Sequence, residues 1–442
     1  MKLRTAVLAV IVVVAATLAT AGASERASTT GDRQRLRPMI FVHGFSGSGA
    51  QWETQGLRFA SNGYPVELVD VLEYDSLFGE ETREQVYERL DAQIAALKDE
   101  SGADQVDLLG HSLGTGMMQG YLTSSPERAA EVAHYVNLDG APAAAPPGGV
   151  PTLAVWGRGD PARRIVGATN LYFSQKTHTE VVTAEETFEE VFTFFTGKEP
   201  RTTEVVPEDR ERVTVSGRAV LFPANVGVEN ATLEVYEING ATGARVDDRP
   251  EATFPLEGDG SWGPLRASPG ANYEFAIVRE GEATHHLYFE PFLRSNRLVR
   301  LLTSLPDGGI GDLIETGPGR ASLTILRYKE WWGDQGVRSD ALEINGVNIL
   351  NEANSPIDKR AIGVFAFDAG VDGVTDLTTP IPSVSGLPFI TGVDIVVPAA
   401  DPASETITVA ETARGSGHVE LINVPNWDSV DHRISIAFNE YG

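Results

Sequence analysis

The pattern of apolar residues changes character near residue 200, and that change limits the folds open to this chain. From Pro38 to about Gly197, short β-branched runs alternate with longer periodic stretches. Strands are predicted at Met39–Val42, Val66–Val69, Val106–Leu109, Tyr135–Leu138, Thr152–Trp156 and Asn170–Phe173. Between them, Glu81–Lys98 carries Val86, Leu90, Ile94 and Leu97 at helical spacing. Thr183-Ala-Glu-Glu186 has the spacing of a capping box, opening a helix that carries Phe188, Val191, Phe192 and Phe195. Strands alternating with helices predict a mostly parallel sheet covered on both faces, here an α/β domain of about six strands with little room for a cap. Beyond a charged, Pro-containing stretch the pattern turns to short alternating strands separated by Gly, Pro, Asn and Asp, which predicts an all-β region.

The expected boundaries are a leader at 1–23, an α/β domain at 24–198, a linker at 199–212 and an all-β region at 213–442, with a possible internal division near 306. The expected leader rests on Lys2 and Arg4, the apolar run from Ala6 to about Leu18, and the small residues Ala19 to Ala23. These are the parts of a cleaved secretory signal, so a secreted, extracellular protein is expected. The chain contains no cysteine. Disulfide scaffolds, Cys-type zinc sites, iron–sulfur clusters and thiol nucleophiles are therefore excluded. A formal net charge of −27 argues against a phosphate backbone as main partner, so no nucleic acid is expected.

The strongest chemical signal is Gly110-His111-Ser112-Leu113-Gly114, directly after the strand at Val106–Leu109 and before a helix-compatible run. This is a G-x-S-x-G turn in a strand–turn–helix setting, the arrangement that exposes a serine nucleophile. The turn strains the backbone at the serine, and flanking glycines avoid the clash that Cβ atoms would cause. His43-Gly44-Phe45-Ser46-Gly47 follows the first strand. In that position such a loop supplies one oxyanion N–H, and the residue after the nucleophile supplies the other. The assignments are the backbone amides of Phe45 and Leu113.

The general base must be a histidine beyond the serine. His178 follows the last strand and precedes the final helix; His134, just before a strand, reads as structural. The neighbours His285 and His286 would point to opposite faces of a strand, so they make a poor metal pair. No metal and no cofactor is expected. Two carboxylates compete as the triad acid. Asp139 ends one strand and Asp160 follows the next, and both lie at carboxyl ends, where an open α/β sheet gathers its site.

The arrangement resembles the α/β-hydrolase superfamily. It is most similar to secreted lipases and carboxylesterases of the Archaeoglobus lipase type, in which a small hydrolase domain precedes a C-terminal β-barrel-like domain. The likeness is carried by Gly110–Thr115, Ser124–Ala130, Val132–His134, Leu138–Gly140, Pro151–Val155, Ala168–Asn170 and Thr177-His178. It fades through the β region. The resemblance implies that the acid is Asp139, that the substrate is a carboxylic (acylglycerol-type) ester, and that the β region helps hold lipid-like chains, with possible contact to a lipid surface. Two other readings stand beside it: an extracellular polyester depolymerase, and a non-catalytic surface-binding protein with a vestigial hydrolase domain. The aromatic segments Trp331-Trp332, Tyr288–Phe292 and Trp427 read as core more readily than as a binding strip.

Overall fold

The computed structural model describes residues 36–79, 81–305 and 308–439. The expected leader at 1–23 lies outside the described residues. So do residues 306 and 307, where an internal division was expected.

The first part of the chain is an α/β layer. Strands β1 (Met39–Val42), β2 (Val69–Leu72), β3 (Val106–His111), β4 (Val132–Leu138), β5 (Thr152–Trp156) and β6 (Thr169–Tyr172) form one sheet. They are parallel throughout, in the order β2-β1-β3-β4-β5-β6. Helices α1 (Glu53–Ser61), α2 (Arg83–Ser101), α3 (Leu113–Ser124), α4 (Pro126–Ala130), α5 (Glu180–Thr183) and α6 (Glu185–Thr196) cover it. One face packs on α2 and α3 through Leu90, Ile94, Met118 and Tyr121. The other packs on α1 and α6 through Phe59, Phe188, Val191 and Phe195. Burial on both faces explains why β1 and β5 are nearly continuous apolar runs with no alternation. The order reverses at β1, whose two neighbours β2 and β3 lead their chains to opposite sides. The crevice at that switch point, beyond the carboxyl ends of β1 and β3, is where open α/β sheets bind ligands.

Two local expectations are corrected. The second strand begins at Val69, because its parallel register starts with Met39↔Val69 and β1 offers no partner to residues 66–68, which form a 3-10 turn. The Thr183–Glu186 capping box does not form. Thr183 belongs to α5 and its hydroxyl lies near the Glu180 and Tyr328 carbonyls, while α6 starts after Ala184 with no side-chain cap. A capping box does open α2, between Thr82 and Gln85. Such caps contribute about 1 kcal/mol.

From residue 213 onward the chain is mainly strands. Eight of them form one sheet in the order Ala252–Leu256, Ala231–Ile238, Asn272–Val278, Thr284–Phe289, His432–Phe438, Leu323–Arg327, Gly363–Phe367 and Ile390–Asp394. This sheet joins strands from before and after residue 306. The connection at 199–212 carries no helix or strand and is pinned to the α/β layer. Asn62 donates to the Thr202 carbonyl, and Val206 N–H donates to Ser61 Oγ. The two parts also share core, since Leu298 of the strand Asn296–Thr303 packs among the apolar side chains of the α1/α6 face. Trp331, Tyr288 and Phe289 are buried, in keeping with a core role for those aromatics. Among the described residues no helix is long and apolar enough to cross a membrane.

Candidate active site

Ser112 sits between β3 and α3 with φ 50° and ψ −118°, a conformation costly for a side chain bearing Cβ. The turn survives because its surroundings fix it. Ser112 N–H donates to the Leu138 carbonyl, and Thr115 N–H donates back to the Ser112 carbonyl. A Cβ on Gly114 would lie 2.4 Å from the His43 carbonyl oxygen and 2.6 Å from that of Val42. A Cβ on Gly44 would lie 2.9 Å from Ser112 Cβ. Those two glycines let the loop after β1 pack against the serine turn. Ser112 and Leu113 are half-buried, and Leu113 is the first residue of α3, where an N–H has no intrahelical acceptor.

His178, on the connection between β6 and α5, brings Nε2 to 2.9 Å from Ser112 Oγ. Its Nδ1 lies 2.6 Å from Asp139 Oδ2. Ser112, His178 and Asp139 thus form one hydrogen-bonded chain at the carboxyl ends of β3, β4 and the segment after β6. The other carboxylate oxygen, Asp139 Oδ1, accepts from Gly157 N–H at 2.8 Å and pairs with the Arg163 guanidinium at 2.9 Å. Burial pushes the Asp139 carboxyl up. The His178 hydrogen bond and charge, Arg163 and the Gly157 amide outweigh it and hold the carboxyl below its ordinary range. Asp160 is not brought to His178. It is exposed, and its carboxylate accepts from Ala162 N–H within its own loop.

His111 braces the histidine from behind. Its Nε2 lies 2.9 Å from the His178 carbonyl oxygen, and its Nδ1 is 3.3 Å from the Gln51 amide nitrogen. Burial, aided by the His178 charge, lowers His111 to about 3, so the ring is neutral and donates to that carbonyl. His43 is fully buried, stacks on Tyr74 with centroids 4.4 Å apart, and donates through Nδ1 to the Gly44 carbonyl. The Phe45 side chain is 39% exposed.

His134, His285, His286 and His432 are held in hydrogen bonds away from Ser112. His134 bonds Asp107 at 2.8 Å. His285 lies between Thr303 and Ser435, and His286 between Glu274 and His432, so the two neighbours do face opposite ways.

Sequence reasoning missed the β-region side chains that brace the loops of this site. Asn225 donates to the Gly47 and Tyr74 carbonyls. Arg300 pairs with Glu73 at 2.5 Å, and Glu73 in turn accepts from Gly49 N–H at 3.0 Å. Both contacts hold the loop after β1. Glu330 reaches the loop around His178 in the same way. Beside the site lies a cavity of about 480 Å³, lined by Ser46 of the α/β layer and by apolar β-region residues including Leu287, Leu302, Leu326, Phe365 and Phe389. The Phe389 ring stacks on His178 with centroids 6.2 Å apart.

Three family models match successive parts of the chain. A model described as the alpha/beta hydrolase fold matches residues 37–179. A lipase C-terminal domain model matches 211–306, and a further C-terminal-domain model matches 309–442. No curated protein matches the chain. Among solved structures, a CIB-like hydrolase of Thermoplasma acidophilum is 16% identical over 38% of this chain and 89% of its own, with a TM-score of 0.28. Aspergillus fumigatus lipase B is 16% identical over 40% of this chain and 56% of its own, with a TM-score of 0.30. Phospholipase PlaB of Legionella pneumophila is 11% identical over 56% and 86%, with a TM-score of 0.27. Residues 37–179 thus carry the alpha/beta hydrolase fold, and the β region behind them begins with a stretch similar to lipase C-terminal domains.

Proposed function

We propose that this protein is a secreted serine esterase or lipase that hydrolyses carboxylic, acylglycerol-type esters through an acyl-enzyme. The observation that carries the proposal is the hydrogen-bonded chain Ser112–His178–Asp139, with Oγ to Nε2 at 2.9 Å and Nδ1 to Oδ2 at 2.6 Å. His178 Nε2 takes the Ser112 proton as Oγ adds to the ester carbonyl. The backbone amides of Phe45 and Leu113 hold the oxyanion. Collapse of the tetrahedral intermediate expels the alcohol, which takes the proton back from His178. A water, deprotonated by His178 in turn, then frees the acid and restores Ser112. Asp139 accepts the hydrogen bond from Nδ1–H, fixes the tautomer and stabilises the imidazolium.

The cavity beside His178 supports the acyl side of this reading. Its walls are mainly aliphatic and aromatic, and it is roomy enough for part of an alkyl chain. A panel of p-nitrophenyl esters from acetate to palmitate, with triglyceride emulsions and a polyester film beside it, tests the proposal. Hydrolysis of soluble esters that persists at long chain length is the expected result. Turnover confined to the film would assign the polyester reading, and no turnover of any ester would overturn the enzyme reading altogether.

A further inference from the structure

The carboxylate of Glu330 belongs to the C-terminal β region, in the loop after the strand Leu323–Arg327, yet it is wholly buried against the loop that carries His178. Its Oε1 accepts from Thr179 N–H at 2.6 Å. Its Oε2 accepts from Glu180 N–H at 3.0 Å and from the Thr177 hydroxyl. One side chain therefore grips the residues on both sides of His178. Within the hydrolase sequence, Glu180 Oε2 accepts from the Thr177 N–H and hydroxyl at 3.2 Å each, which holds one side of His178 and leaves Thr179 to Glu330.

Glu330 is itself held rigidly. Its backbone carbonyl accepts from Arg327 and Arg414. Both guanidinium groups pair with Asp340, Arg327 lies over the Trp331 ring at 3.7 Å, and Arg414 lies over Trp332 at 4.0 Å. Arg414 also pairs with Glu180 at 2.8 Å. The Trp331-Trp332 pair thus forms the bed of an anchor that ends at the His178 loop.

We propose that Glu330 is a positioning residue for His178, so that the β region completes the catalytic geometry as well as flanking the acyl cavity. This rests on the reading of His178 as general base. His178 must hold Nε2 on Ser112 and Nδ1 on Asp139 at once, and its own ring bonds leave the backbone free to rock. Glu330 stops the rocking from one side, while His111 on the His178 carbonyl stops it from the other.

The test compares wild type, Glu330→Gln and Ser112→Ala in the full chain. The glutamine keeps the shape but sets an NH₂ group against an N–H or hydroxyl donor, so one side of the grip is lost. The active fraction is counted by the end point of fluorophosphonate labelling, and kcat is expressed per labelled site. For Glu330→Gln, kcat per site should fall on the order of 10- to 100-fold on a short soluble ester while KM stays within about twofold, since small displacements of catalytic groups cost rates of this size. The low-field proton resonance of the His178 Nδ1–H bond to Asp139 should broaden or move. A purely structural role would lower the urea midpoint and leave kcat per site and the resonance unchanged, and that result overturns the proposal. If Glu330→Gln does not fold, Thr177→Val carries the test by removing one of the three contacts. A severalfold loss of kcat at constant KM supports the proposal, and unchanged kcat overturns it. An active Ser112→Ala would overturn the underlying serine mechanism, an outcome distinct from either.

Discussion

His178 Nδ1 lies 2.6 Å from Asp139 Oδ2, although the sequence offers a second carboxylate, Asp160, at the end of the next strand. The Asp160 loop contributes in another way, by sending Arg163 to the far oxygen of Asp139. Asp139→Asn should therefore lower kcat by about 10⁴-fold, because the amide can present a donor to Nδ1 and trap the wrong tautomer. Asp160→Asn should stay within about threefold of wild type, the carboxylate being exposed and off the triad. Steady-state kinetics on a short ester checks both, and an Asp160→Asn as damaged as Asp139→Asn would reverse the assignment.

Gly114 has no room for a methyl group, because the carbonyls of Val42 and His43 stand where its Cβ would be. These are backbone atoms and cannot rotate away. Gly114→Ala should push the loop after β1 off the serine turn, costing about 1–3 kcal/mol of stability. It should also lower kcat by more than the stability loss explains, through displacement of the Phe45 amide. Urea denaturation with kinetics on the folded protein separates the two effects, and a normally active Gly114→Ala would show that the loop does not serve the reaction.

Arg300 and Glu73 form a buried pair across the two parts of the chain, with side chains 4% and 2% exposed. Burial pushes the Glu73 carboxyl up, but Arg300 and His43 outweigh it and hold it below its ordinary range. Arg300→Met would leave a buried carboxylate without its counter-charge, which costs about 3–5 kcal/mol. Because Glu73 also accepts from Gly49 N–H, activity should fall together with stability. An Arg300→Met as stable as wild type in urea would contradict this.

Acid should unfold the protein over a broad range. His111 and His285 have folded values of about 3 against an ordinary 6.5, both lowered first by burial. Below pH 6.5 the unfolded chain binds protons that the native sites refuse, so stability falls as pH drops toward 3. Glu274 and Asp340 have folded values of about 2 against 4.5 and 3.8; burial raises both, and their Arg and His partners outweigh it. Their contribution is complete above about pH 4.5 and is lost as pH falls toward 2. Glu53, raised to about 7 by burial, acts in the opposite sense and loses its contribution as pH rises through 7. The depressed groups outnumber it, so urea midpoints should decline steadily from pH 6.5 to 3. A midpoint that rises over that interval would contradict the burial of His111 and His285 as neutral rings.

The sequence made the serine turn readable because its requirements are local. Gly110, Gly114 and Gly44 mark close backbone approaches, and each lies within a few residues of a strand end. Position alone left Asp139 and Asp160 equal, since both sit after strands; the resemblance favoured Asp139, and the fold brings Asp139 to His178 while Asp160 stays exposed in its own loop. Glu330, Arg300 and Asn225 left no signal. They are ordinary polar residues in a region read as strands and turns, and they meet partners 150 to 227 positions away. Spacing within a segment cannot encode such contacts. The capping box placed at Thr183 failed for a related reason, since the Thr183 hydroxyl lies near the Tyr328 carbonyl, 145 positions away, and away from the first turn of α6.

Ser112 is the atom source on which everything else converges, and its substitution is the most direct measurement. Wild type and Ser112→Ala, both verified as folded by circular dichroism, are assayed on the same short-chain p-nitrophenyl ester and treated with a fluorophosphonate probe. The expected result is one probe per wild-type chain at Ser112, none on the variant, and a kcat lower by roughly 10⁴- to 10⁶-fold. A folded Ser112→Ala that keeps most of its ester hydrolysis would contradict the serine mechanism outright.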